Sequence, residues 1–203
     1  MLELYLVRHG ATSWNESGYC QGRKDVPLSE GGRTQAVLLR DALAGVEFDR
    51  AYASPLCRAQ ETARILGAEP EILDELYEID RGHWEGHPMD EVKRRWGKLY
   101  RAWYADPVGH AMPGGESFDD FWERAQRALE AVSGEGSGRV LVCGHKAINR
   151  AMIARALNMA TSEVWPIPQP QLGLSVIVRE NGEWHAEKLG DASHLPNSLR
   201  SET

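Results

Sequence analysis

Cysteine is scarce in this 203-residue chain: Cys20, Cys57 and Cys143 stand singly, an odd number without C-x-x-C spacing. That pattern excludes a disulfide framework and a zinc knuckle, and the three read as reduced packing residues. No apolar run approaches the roughly 20 residues that span a bilayer. The chain opens on the short run Leu4 to Val7 without a signal-peptide cleavage pattern, so a cytoplasmic protein with no membrane partner is expected. Positive charge is in deficit, with 23 Lys and Arg against 30 Asp and Glu and a formal net charge of −7. Such a balance gives no sequence-independent hold on nucleic acid, and an anionic substrate would need its positive counterpart locally. His83, His87 and His110 fit no H-E-x-x-H or comparable ligand spacing, so no metal site is expected. Repeats, low-complexity tracts and linkers are missing too. Gly134 to Gly138 (GEGSG) is a loop signal between patterned segments, and the whole of 1–203 is expected to form a single domain.

What is present alternates. Leu2 to Val7 reads as a buried strand ending at Arg8-His9-Gly10, Arg50 to Ser54 as a second broken at Pro55, and Val140 to Cys143 as a third ending at Gly144-His145. Between them run helical patterns: Ala36, Leu39 and Leu43; then Met89, Val92, Trp96, Leu99 and Trp103; then Phe118, Phe121, Trp122, Ala125, Leu129 and Val132. Ser117 is placed to cap the last of these, with Asp120 completing a capping-box-like start. Leu174 to Val178 and Trp184 to Leu189 flank Asn181-Gly182, the signal of an antiparallel hairpin. The fold class predicted is α/β: a mostly parallel central sheet flanked by helices in three layers, with the hairpin at one edge. Ligands gather beyond the carboxyl ends of strands in such sheets. Arg8-His9, Ser54 to Arg58 and His145 should therefore converge at one rim.

Those residue types suit phosphoryl transfer, which needs an in-line nucleophile, donors around the charged oxygens and an acid for the leaving oxygen. A neutral imidazole is a competent nucleophile near pH 7, and His9 sits at a strand end. Arg8 and Arg58 each offer a planar fork of donors to phosphate oxygens. Glu78 and Glu85 are both candidates for the acid, and the residues alone do not choose between them.

The ordered segments LVRHGATSWN (6–15), QGRKDVPLSEGGRTQA (21–36), SPLCRAQETA (54–63), LYEIDRGHWEG (76–86), PGGES (113–117) and VCGHKAINRAM (142–152) resemble the histidine phosphatase superfamily, also called phosphoglycerate mutase-like. The resemblance implies that fold and no cofactor. It implies that His9 carries a phosphohistidine and that Arg8, Arg58 and His145 hold the phosphoryl group. Asn15 and Gln21, with Lys146 beside His145, are then expected as further substrate or phosphate contacts. Glu78, first in the family's E-x-x-x-G-x-W pattern, is implied as the acid and base. The homodimer expected for the chain comes from family habit.

The segment after the acid, Ile79-Asp80-Arg81-Gly82, lacks the E-R-H-Y-G form of the family's cofactor-dependent phosphoglycerate mutases, and the tail GDASHLPN (190–197) resembles compact phosphatases. A metal-independent phosphomonoesterase acting on a small phosphorylated metabolite is therefore expected, with a mutase as the alternative and a non-catalytic phospholigand-binding module behind both. The α-ribazole, phosphoserine and broad-specificity phosphatases are all candidate types. Arg81, Met89, Arg94, Trp103 and His110 are expected to border the leaving group. Trp14, Trp84 and Trp165 could wall the pocket or simply pack, whereas Trp96, Trp103 and Trp122 lie at core spacing.

Overall fold

The computed structural model describes residues 1–134 and 136–200; Glu135, in the GEGSG loop, and the last three positions of the expected domain lie outside the described residues. In chain order the elements are β1 (Leu2–Arg8), α1 (Ser13–Glu16), α2 (Glu30–Ala42), β2 (Arg50–Ala53), α3 (Cys57–Ile65), β3 (Glu71–Ile72), α4 (Met89–Arg95), α5 (Gly97–Ala105), α6 (Phe118–Ser133), β4 (Gly138–Gly144), α7 (Lys146–Ala156), β5 (Leu174–Glu180) and β6 (Glu183–Asp191), with short 3-10 turns between some of them. The sheet order is β3-β2-β4-β1-β5-β6. The first four of these are parallel neighbours, while β5 runs antiparallel to both β1 and β6. The sheet is thus mostly parallel, and the hairpin closes one edge. Asn181 and Gly182 turn it with φ of 53° and 86°, the left-handed pair that matches strand twist.

Alternation along β1 divides the core in two. Leu2, Leu4 and Leu6 join Val140, Val142, α6 and α7 on one face, and Val7 joins Leu141, Cys143, α2 and α3 on the other. Each fully buried Leu or Val contributes roughly 1.5–3 kcal/mol relative to exposure. The α6 stripe is buried at Phe118, Phe121, Ala125, Leu129 and Val132, and Ser117 Oγ accepts from the Asp120 backbone N–H at 3.1 Å. The Asp120 carboxylate takes the Ser117 hydroxyl at 2.6 Å.

Two helices differ from the sequence pattern. The apolar series from Met89 to Trp103 does not form one helix: the backbone breaks at Trp96 (φ −117°, ψ 26°) and Gly97 starts α5 anew. Nothing in the pattern announces α7, because nine of its eleven residues are buried and a helix buried all round shows no amphipathic period.

Register places the site. Arg8 at the end of β1 faces Gly144 of β4, and Ala53 of β2 faces Cys143. Backbone hydrogen bonds continue one step beyond, from His9 N to Gly144 O at 3.1 Å and from Ser54 N to Cys143 O at 3.1 Å. His9, Ser54 and His145 therefore leave adjacent strands at the same height.

Candidate active site

Beyond those strand ends lies a cavity of about 230 Å³, bordered by Arg8, His9, Asn15, Gln21, Arg58, Glu78, Arg81, Met89, Tyr104 and Lys146 among others. His145 stands just behind it, fully buried, its ring centroid 5.0 Å from that of His9. All eight residues expected in the site thus meet at one place.

The His9 ring is held by its neighbours. Its Nδ1 lies 2.7 Å from Gly10 O, a partner that can only accept, so Nδ1 carries the hydrogen and Nε2 the lone pair. Arg58 Nε donates to that lone pair at 3.2 Å. Burial, then the charges of Arg58 and Arg8, push the His9 pKa well below its ordinary 6.5. The imidazole is neutral at pH 7 with a nucleophilic Nε2. His145 is likewise held well below its ordinary value, by burial first and then by Arg58, His9 and Arg8. Its Nε2 lies 2.8 Å from Ser54 Oγ, and its Nδ1 is buried without a hydrogen-bond partner among the described residues.

The two arginines are anchored on carbonyls that cannot neutralise them. Arg58 donates to Lys24 O at 2.7 Å and Gly22 O at 2.8 Å, and Arg8 donates to Gln169 O at 2.7 Å. Among the described residues Arg8 Nε is a buried donor with no partner. Unpaired buried donors of this kind are costly unless an acceptor arrives, and a phosphoryl oxygen is such an acceptor. Burial draws both guanidinium pKa values down to about 10, which leaves each charged at neutral pH.

Glu78 reaches the N-terminus of α7, where its carboxylate accepts from Ala147 N at 3.2 Å, Ile148 N at 3.3 Å and Ile79 N at 2.9 Å. The main chain beneath it is clamped. Arg124 donates to the carbonyls of Glu75, Tyr77 and Glu78 at 2.7, 2.7 and 3.4 Å, and Arg23 donates to Glu78 O at 3.1 Å. Glu116 holds both arginines, with a two-pronged pair to Arg124 at 2.8 and 2.7 Å and a contact to Arg23 at 3.2 Å. Glu85 is used differently: it accepts the backbone N–H groups of Arg23 and Arg81 at 2.7 and 3.1 Å.

Asn15 and Gln21 border the cavity but also position others. Asn15 Oδ1 accepts from Thr12 N at 3.1 Å, closing the cap of α1. With its amide oxygen toward Arg58, Gln21 accepts from Nε and Nη1 at 3.0 Å each while its NH2 donates to Thr12 Oγ1 at 2.9 Å. The loop from His9 is pinned by Thr62 Oγ1 on Gly10 N at 3.3 Å and by Gln35 Oε1 on Ala11 N at 2.9 Å.

Of the residues expected beside the leaving group, Arg81 and Met89 border the cavity and Arg94, Trp103 and His110 do not. Arg94 and His110 face solvent, and Trp103 is buried in the core. Helix phase presents Tyr104 in its place, with the Trp103 ring stacked behind Arg81 at 5.6 Å from Cζ. Trp14, Trp84 and Trp165 are packing residues and none borders the cavity. Gln169, Ser54, Thr62 and the Glu116–Arg124 pair escaped the sequence reading as site supports. Only Ser54, Thr62 and Glu116, inside matched motifs, carried any signal.

A family model described as the histidine phosphatase superfamily (branch 1) matches residues 4–192. Phosphoserine phosphatase 1 of Hydrogenobacter thermophilus is 34% identical over 200 residues, covering 96% of this chain and 95% of its own. A probable 2-carboxy-D-arabinitol-1-phosphatase of Arabidopsis thaliana is 33% identical over 201 residues, and the chain spans 42% of that longer protein while covering 95% of itself. A 2-carboxy-D-arabinitol-1-phosphatase of Triticum aestivum is likewise spanned over 36% of its length. The crystal structure of a putative α-ribazole-5′-phosphate phosphatase from Escherichia coli superposes with a TM-score of 0.85 at 30% identity, over 94% of this chain and 97% of that one.

Proposed function

This chain belongs to the histidine phosphatase superfamily, branch 1, and from that premise we propose that it is a metal-independent phosphomonoesterase that works through a phosphohistidine on His9. The carrying observation is one cavity that holds a neutral imidazole with Nε2 as its nucleophilic nitrogen, the guanidinium groups of Arg8 and Arg58, and Glu78. In the first step His9 Nε2 forms a bond to phosphorus as the P–O ester bond breaks, and the leaving oxygen takes its proton from the Glu78 carboxyl. In the second step a water oxygen attacks phosphorus, Glu78 accepts the water proton, and the P–N bond breaks to release inorganic phosphate and restore His9. Arg8, Arg58 and His145 would hold the equatorial oxygens, whose charge is what such sites stabilise. Phosphoserine, α-ribazole phosphate and 2-carboxyarabinitol phosphate enter as candidate substrates from the names of the relatives.

The test is phosphate release from a panel of phosphomonoesters in excess EDTA, for the parent protein and His9→Ala. EDTA-resistant release that vanishes in His9→Ala is expected. Release that survives the substitution overturns the reading. No release from any ester, joined to transfer onto 3-phosphoglycerate after priming with 2,3-bisphosphoglycerate, replaces it with a mutase.

A further inference from the structure

Resting on the phosphatase reading, the hydrogen bonds behind the cavity give Ser54 a part in the reaction. Ser54 and His145 are both fully buried, so each polar hydrogen and lone pair on them needs a partner in the protein or in a ligand. Ser54 Oγ has two such neighbours among the described residues. The Leu56 backbone N–H donates to it at 3.3 Å, and His145 Nε2 lies 2.8 Å away. Leu56 N can only donate. The ring nitrogen of His145 is therefore the acceptor open to the Ser54 hydroxyl hydrogen.

Two placements of the proton on a neutral His145 differ in what they leave unpaired. With the proton on Nε2, the ring donates to Ser54, the hydroxyl hydrogen has no acceptor, and the Nδ1 lone pair has no donor. With the proton on Nδ1, the hydroxyl donates to Nε2 while its oxygen keeps the Leu56 N–H, and the Nδ1–H alone stays unpaired. The second arrangement leaves one buried group unsatisfied instead of two, and such groups are costly. A ring protonated on both nitrogens is disfavoured by burial, then by Arg58 of α3, by His9 and Arg8 at the end of β1, and by Arg124 of α6. His9 also carries its hydrogen on Nδ1, but there Gly10 O accepts it and Nε2 is left as the nucleophile. Ser54 inverts that outcome at His145, because it occupies the Nε2 lone pair and leaves an N–H. We propose that Ser54 is a positioning residue that fixes His145 as its Nδ1–H tautomer, and that this N–H is the donor His145 gives to a phosphoryl oxygen.

The measurement is a long-range proton–nitrogen NMR correlation of the histidine rings in isotopically labelled protein at about pH 7, with His145 assigned by the loss of its signals in His145→Asn. The expected pattern is a neutral ring protonated at Nδ1. In Ser54→Ala the Nε2–H form should appear, and in Ser54→Thr, which keeps the hydroxyl, the Nδ1–H pattern should return. Saturating inorganic phosphate should move the Nδ1 proton downfield, the mark of a new hydrogen bond. In EDTA, kcat for a phosphomonoester should fall by roughly 10²-fold in Ser54→Ala and recover in part in Ser54→Thr, the scale of losing one aligned donor. A parent ring protonated at Nε2 or on both nitrogens overturns the proposal. So does a tautomer unchanged in Ser54→Ala, or bound phosphate, followed by its phosphorus signal, that leaves the Nδ1 proton where it was. The parent spectrum decides the tautomer even if a Ser54 variant fails to fold. Phosphate release that persists in His9→Ala overturns the phosphatase reading instead, and spectra taken without any ester keep the two failures apart.

Discussion

Arg58 shows how little freedom the site allows a single side chain. Its three nitrogens are spoken for by His9 Nε2, Lys24 O and Gly22 O, and an ammonium cannot span that set. Arg58→Lys is expected to lower kcat/KM by roughly 10²–10³-fold, the scale of losing an aligned donor to developing charge; steady-state kinetics in EDTA measures it. Lys146 gives a pH signature. Facing Arg8, Arg150, Arg81 and Glu78, it keeps its proton below about pH 8 and gives it up above. KM for a phosphate ester should therefore rise above that pH, as steady-state kinetics from pH 7 to 9 would show. Lys146→Arg should shift the rise to higher pH. The identities of these side chains were legible in the sequence, but their partners were not. Gln169 reaches Arg8 from 161 positions away, and Ser54 reaches His145 from 91.

At the scale of elements, the approach of α2 to the loop after β1 is controlled by two glycines. A Cβ on Gly10 would lie 2.6 Å from Gly32 O, and one on Gly32 would strike the Ala11 backbone. Gly32→Ala is expected to destabilise the protein by about 1–3 kcal/mol through overpacking, read in a urea titration, and to lower activity by displacing His9. A second case is the clamp from α6. The Glu116–Arg124 pair holds the main chain that carries Glu78, so Glu116→Gln should impair proton delivery more than phosphoryl binding. Turnover of an alkyl phosphate should fall by roughly 10² while that of p-nitrophenyl phosphate, whose leaving oxygen needs little protonation, falls less. Equal losses for the two esters would reduce the clamp to a stability device. The elements themselves were unevenly legible. β1, α6 and the Asn181-Gly182 hairpin follow from local periodicity and turn chemistry. The break at Trp96, the buried α7 and the two-residue β3 depend on packing that no local window contains.

For the whole molecule, the buried neutral histidines link stability to acid. His9 and His145 have folded pKa values well below 6.5, so between those values and 6.5 the unfolded chain binds more protons than the folded one. Their share of stability is present in full above about pH 6.5 and is lost as pH falls below it. Urea midpoints should therefore decline from pH 7.5 to pH 5, and His145→Asn should flatten part of that decline. Among the described residues no helix is long and apolar enough to cross a membrane. By itself the sequence determined the α/β class, the strand ends bearing Arg8-His9 and Gly144-His145, and the family, because strand runs, helix stripes and motif order are local or ordered along one dimension. The tertiary structure alone decided which nitrogen of His9 is free, that Glu85 accepts the backbone N–H groups of Arg23 and Arg81, and that Tyr104 rather than Trp103 borders the cavity. Those outcomes depend on crossing angles, helix phase and the competition of buried polar groups for partners, and such distances close only when the sheet and both helical layers are assembled.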